Sequence, residues 1–151
     1  MKFMMIIKAD KATEAGVMPT EELLVAMGKY NEELIKAGAL LAADGLQPSA
    51  KGARVRHAGG KSTVIDGPFA ETKELIAGFW LIQVKSKEEA IEWAKRVPFD
   101  PNGPSATSDG IGEIELRQMY EAVDFTRELY PSDEVQQLFS AEENFRRKTN
   151  S

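Results

Sequence analysis

The order in which short apolar runs alternate with helix-patterned segments narrows this 151-residue chain to a small set of folds. Phe3 to Lys8 is brief and strongly apolar, as in a strand buried inside a sheet. After a polar connection, Pro19 opens a helix whose first turn sets Glu21 and Glu22 against the positive end of the helix dipole. Leu23, Met27, Tyr30 and Leu34 recur at helical spacing as its apolar stripe, Lys36 lies in the last turn, and Gly38 is the stop. Ala39 to Ala43 reads as a second strand running into the Asp44-Gly45 turn. Ala53 to His57 and Ser62 to Ile65 are short strands joined through Ala58-Gly59-Gly60, the composition of a hairpin. Phe79 to Val84 is an aromatic strand. Ser86 and Glu89 have capping-box spacing for a second helix, which carries Ala90, Ile91, Trp93, Ala94 and Val97 and ends at Pro98. Beyond a loop from Phe99 to Gly110, rich in Pro, Gly, Ser and Asp, Ile114, Leu116 and Gln118 alternate with Glu113, Glu115 and Arg117 in a half-exposed last strand.

This order predicts an α+β domain over residues 1–119: a ferredoxin-like split βαβ sheet with an inserted hairpin and two helices on one face. Two helices leave the second face of such a sheet bare, and another copy of the chain is the simplest cover, so a homodimer is expected. Residues 120–151 form an extension, with Tyr120, Val123, Phe125, Leu129 and Tyr130 preceding a helix from about Asp133 to Arg147. Its apolar positions, Val135, Leu138, Phe139 and Phe145, suggest docking on the partner subunit.

Composition removes several functions. With 42% hydrophobic and 28% charged residues the chain has the balance of a water-soluble domain with a real core. A net charge of -5 repels polyanions, which argues against nucleic acid as a partner. The absence of cysteine excludes disulfides, thiolate nucleophiles and zinc-thiolate sites, and suits a reducing compartment. The apolar start Met1 to Ile7 is cut short by Lys8 and Asp10, so it reads as a strand rather than a signal peptide. No run approaches the roughly 20 apolar residues of a membrane span. The expectation is a cytoplasmic protein without a membrane partner.

The stretch Asp66-Gly67-Pro68-Phe69-Ala70-Glu71-Thr72-Lys73-Glu74, followed by Gly78-Phe79-Trp80-Leu81-Ile82, resembles the signature of the YCII-related proteins, specifically the DGPF subfamily. The likeness runs from Met1 to about Gln118. It implies a dimeric α/β-barrel arrangement in which two sheets face each other. It also implies a His-Asp pair able to move protons, although Tyr30 stands where that histidine would be. A tyrosine with its ordinary pKa of about 10 needs strong activation to replace imidazole. Relatives fused to, or encoded beside, alternative sigma factors add a second implication, a non-catalytic regulatory or protein-interaction module linked to transcription control.

Candidate site residues follow from placement. Asp66 precedes a Gly-Pro turn at a strand end, where its carboxylate either projects into a cleft or closes a local Asx turn. Asp44 ends an apolar strand and either lies over the cavity between sheet and helix, near Tyr30, or simply starts a turn with Gly45. Asp66, Asp44 and Tyr30 are the candidate catalytic groups, and Gln47, Phe69, Glu71 and Trp80 the candidate substrate-binding ones. Glu71 and Glu74 flank Lys73 at a spacing equally suited to a solvated turn. Phe79 and Trp80 point to opposite faces of their strand, so one enters the core and the other faces the dimer cavity. His57 is the only histidine and sits beside the hairpin glycines, as an exposed residue would. One histidine with Asp44, Asp66 and Glu71 has no recognisable metal spacing, and Gly59-Gly60 lacks the ending of a phosphate loop, so no metal or cofactor is expected. The resulting expectation is a small polar metabolite bound near the Asp66 loop. Proton transfer of isomerase or lyase type would use Asp66 or Asp44 as base and Tyr30 as acid.

Overall fold

The computed structural model describes residues 1–99 and 112–149. Its strands are β1 (Lys2–Lys8), β2 (Leu40–Gly45), β3 (Ala53–Ala58), β4 (Lys61–Asp66), β5 (Ile76–Gln83) and β6 (Ile114–Gln118). Its helices are α1 (Lys11–Glu14), α2 (Glu21–Lys36), α3 (Lys87–Lys95) and α4 (Asp133–Thr149). An antiparallel sheet in the order β2-β5-β1-β6 carries α2 and α3 on one face, which is the expected ferredoxin-like α+β layout. The hairpin β3–β4 forms a separate two-stranded sheet. Apart from Phe99, the loop expected up to Gly110 lies outside the described residues, save that Gly112 and Glu113 lead into β6.

Local chemistry sets the element ends. The Thr20 hydroxyl accepts the Leu23 N–H at 3.2 Å, so α2 begins after this cap and Pro19 precedes it instead of lying in the first turn. The polar connection after β1 contains α1, because Asp10 and Thr13 cap each other's backbone N–H groups at 2.7 and 2.9 Å. At α3, Ser86 accepts the Glu89 N–H at 3.1 Å, while the Glu89 carboxylate reaches back to the Lys85 N–H at 2.8 Å, one residue before the cap. Gly59 and Gly60 have φ of 58° and 74°, the positive pair that a tight hairpin turn between twisted strands demands.

One core joins the layers. Phe3, Met5, Trp80 and Ile82 from the sheet pack with Tyr30 and Leu34 of α2 and with Ala90 and Trp93 of α3. Strand pairing sets Phe3 opposite Ile82 and Met5 opposite Trp80, so the alternate residues Met4, Ile6, Phe79 and Leu81 occupy the other face. No helix of the described residues is long and apolar enough to cross a membrane.

The extension leaves the sheet next to β1: the Met119 N–H donates to the Lys2 carbonyl at 2.9 Å, and the N-terminal ammonium lies 3.8 Å from Glu121. Its aromatics pack mostly on each other, Phe125 lying 4.8 Å from Phe139 and 6.0 Å from Tyr130 between ring centroids. No residue of α4 is buried.

Candidate functional site

Tyr30 sits at the centre of the helix-side core. It is 4% exposed, and its ring meets Trp80 and Trp93 edge-on at 5.5 and 6.1 Å. Its hydroxyl donates to the Trp93 carbonyl at 2.8 Å, tying α2 to α3. Burial pushes its pKa up from 10.0 to about 12; Arg96 opposes this and Glu33 adds to it. A phenol so held is a weak proton donor near neutral pH. Trp80 is equally committed: it is 4% exposed, and its indole N–H donates to Asn31 Oδ1 at 2.7 Å. Of the pair Phe79 and Trp80, Phe79 is therefore the residue on the helix-free face.

Asp44 lies on that same helix-free face. The cause is a shift of register in β2: Leu40 pairs with Ile82 and Ala42 with Leu81, so the alternation slips by one residue at Leu41. Ala43 then pairs with Trp80 on the helix side, and Asp44 with Phe79 on the opposite side. Unbroken alternation from Leu40 would have aimed Asp44 at the core. The expected cavity shared by Tyr30 and Asp44 does not form, because the sheet separates them. Asp44 and Gln47 are exposed.

The Asp66 loop is held by a clamp that sequence reading did not find. The Ser49 hydroxyl donates to Glu14 Oε2 at 2.5 Å, its backbone N–H donates to Glu14 Oε1 at 3.2 Å, and the Phe69 N–H donates to Ser49 Oγ at 3.1 Å. The Gly67 N–H donates to the Gly52 carbonyl at 3.0 Å, and the Gly67-Pro68 bond is cis. A Cβ at Gly67 would stand 1.7 Å from the Ser49 carbonyl oxygen, so only glycine fits this approach. The Gly-Pro pair was the sole hint in the sequence that another segment packs this closely; nothing pointed to Glu14 or Ser49. Phe69 is half-buried beneath the Arg54 guanidinium, 4.0 Å from its ring centroid. Asp66 ends β4 opposite Ala53 and is exposed, and its carboxylate accepts no hydrogen bond from the described residues. Glu71 is exposed at the start of the 3₁₀ turn Thr72–Glu74. His57 is exposed and shares a 2.9 Å hydrogen bond with Ser62 across the hairpin.

Two carboxylates thus face solvent at the ends of β2 and β4, in segments that Ser49 and Gly67 clamp together. Comparison with known proteins identifies the family. The YCII-related domain matches residues 1–108. The chain belongs to the YCII-related family. An uncharacterised protein of Rhizobium meliloti (strain 1021) is 37% identical over 99 residues, covering 66% of this chain and 74% of the relative. Both α2 and the Asp66 loop fall inside the matched span, while β6 and the extension lie beyond it.

In chemical terms the ends of β2 and β4 offer anionic hydrogen-bond acceptors, and the face beside Asp44 offers an apolar wall of Phe79, Leu81, Met4 and Ile6. Among the described residues no group of three or more His, Asp or Glu side chains is arranged to hold a metal ion.

Proposed function

We propose that this YCII-related protein works as a homodimer that binds a small polar metabolite between the helix-free sheet face and the clamped Asp66 loop. The observation that carries this reading is Asp44, set by the β2 register shift beside Phe79 on the sheet face opposite α2 and α3. A second copy laid on that face would enclose Asp44 against the apolar wall, giving one acceptor group in a dry, shaped hollow. Asp66 is the second acceptor. Carboxylates in such a setting suit a ligand bearing hydroxyl, amide or ammonium donors and can take up a proton from it, as isomerase or lyase chemistry requires. Tyr30 stays outside this site, while Gln47, Phe69 and Glu71 belong to the segments that border it.

Thermal-shift screening against small hydroxy, amino and amide metabolites tests the proposal. Asp44→Asn and Asp66→Asn should each weaken a binder by about ten- to a hundredfold, the worth of a hydrogen bond to a charged group, while leaving the unliganded protein folded. If both variants keep full affinity, the pocket assignment fails.

A non-catalytic interaction module is the second reading, and the exposed apolar side chains of the extension, Tyr120, Leu138 and Phe145 among them, favour it. A stoichiometric foreign protein retained through purification from the native cell would support it over the first.

A further inference from the structure

We propose that the β3–β4 hairpin of one copy receives the acidic segment from Tyr120 to Glu134 of a second copy. The inference rests on the homodimer reading above and names a surface that reading leaves unassigned. The hairpin has room for a partner: every residue of both strands is exposed, its one ring contact among the described residues is Arg54 over Phe69, and a two-stranded sheet so thinly covered is marginal in water. Its side chains indicate what the partner must supply. Arg54 and Arg56 alternate onto one face, and Lys61, paired with Ala58, joins them there. Arg54 is stacked on Phe69, and none of the three cations enters an ion pair among the described residues, which leaves Arg56 and Lys61 facing solvent. On the other face Val55 pairs with Val64, at 57% and 64% exposure.

The extension has the complementary character. Between Tyr120 and Glu134 it carries five acids against the single cation Arg127. Glu121 lies near the N-terminal ammonium, Asp124 accepts the Glu121 N–H and Asp133 pairs with Arg127, so Glu128 and Glu134 are the acids whose carboxylates have no ion pair or hydrogen bond among the described residues. Tyr120, Val123 and Leu129 add an apolar surface that is between 67% and 79% exposed. Both segments thus expose apolar area, and their unpaired charges are opposite: Arg56 and Lys61 on the hairpin, Glu128 and Glu134 on the extension. Nucleic acid is a poorer occupant, since it brings no apolar surface to Val55 and Val64 and meets a net charge of -5.

Topology favours an exchange between copies over a contact within one. The hairpin hangs between β2 and β5 at one side of the sheet, whereas the extension follows β6, the opposite edge strand. Three strand spacings, about 14 Å in all, lie between the two edges. A two-fold axis along the strand direction brings the β6 edge of one copy over the β2 edge of the other, so the contact forms twice.

The test uses the absence of cysteine in the full chain. A Lys61→Cys chain and a Glu128→Cys chain, mixed to allow subunit exchange and treated with a short bismaleimide, should give a cross-linked pair that neither variant gives alone. In parallel, Arg56→Glu/Lys61→Glu and Glu128→Lys/Glu134→Lys should each weaken self-association by about tenfold at low salt, and mixing the two reversed chains should restore it to within about threefold. A dimer indifferent to both charge reversals, with no mixed cross-link, overturns this inference and leaves the homodimer reading standing. A monomer at micromolar concentration overturns both.

Discussion

The two faces of the four-stranded sheet are built from neighbouring residues of the same strands, yet only one is finished. Phe3, Met5, Trp80 and Ile82 look toward α2 and α3 and are at most 4% exposed. Met4, Ile6, Phe79 and Leu81, each one step along the chain, are only half-buried. Both sets are apolar, so the difference lies in what the chain has available to cover them. Two helices close one side, and the other retains a surface that water contacts at a cost of roughly 25 cal/mol for each Å². The helix side supplies stability, and the bare side is where association and binding have something to gain.

Truncating one residue on each side should expose this asymmetry, with the largest effect first. Leu34→Ala removes a fully buried side chain beneath the sheet and should cost about 2–5 kcal/mol in urea unfolding. Leu81→Ala, on the bare face, should cost about 1 kcal/mol or less when the protein is dilute enough to be monomeric, and should weaken self-association when it is concentrated. Equal losses for the two variants under dilution would mean that the second face is already closed within one chain, and the contrast would break.

A smaller effect sharpens the comparison at the clamped Asp66 loop. Gly67→Ala places a methyl group against the Ser49 backbone, which cannot swing aside as a side chain would, and should cost about 1–3 kcal/mol. The Ser49→Ala variant loses the bridge between Glu14 and Phe69 but opens no clash, so it should cost less. If Gly67→Ala were neutral, the loop would be free to move and could not hold Asp66 in a defined place.

How far the sequence disclosed this contrast depends on whether the signal was local. Helix stripes, the hairpin glycines and the strand order were legible, because periods of 3.6 and 2 and turn chemistry are written in neighbouring residues. Which side of each strand turns inward was not. Period 2 says that Phe79 and Trp80 diverge, but the choice of Trp80 for the core is made by β1, α2 and α3, all distant in sequence. Asp44 shows the point most sharply, since the slip at Leu41 reverses the parity that strict alternation predicts and moves the carboxylate to the opposite face. Similarly, nothing local marks Glu14 as the group that secures Ser49, 35 residues later.

The finest test sits on the finished side, at Tyr30, and asks whether its hydroxyl is structural or available. Tyr30→Phe keeps the ring between Trp80 and Trp93 and removes only the bond to the Trp93 carbonyl, which still receives the Arg96 N–H at 3.1 Å. The loss near neutral pH should therefore be about 1 kcal/mol. The pH dependence adds a sign. Because burial raises the folded pKa to about 12 from 10.0, the folded protein holds a proton that the unfolded chain releases between those values. That contribution is fully present below pH 10 and is lost as pH rises through 12, by roughly 2–3 kcal/mol in all. The wild-type chain should lose stability relative to Tyr30→Phe between pH 10 and pH 12, so that the gap first closes and then reverses. A gap that stays constant would mean the hydroxyl meets solvent in the native state and is not held by the bond to the Trp93 carbonyl.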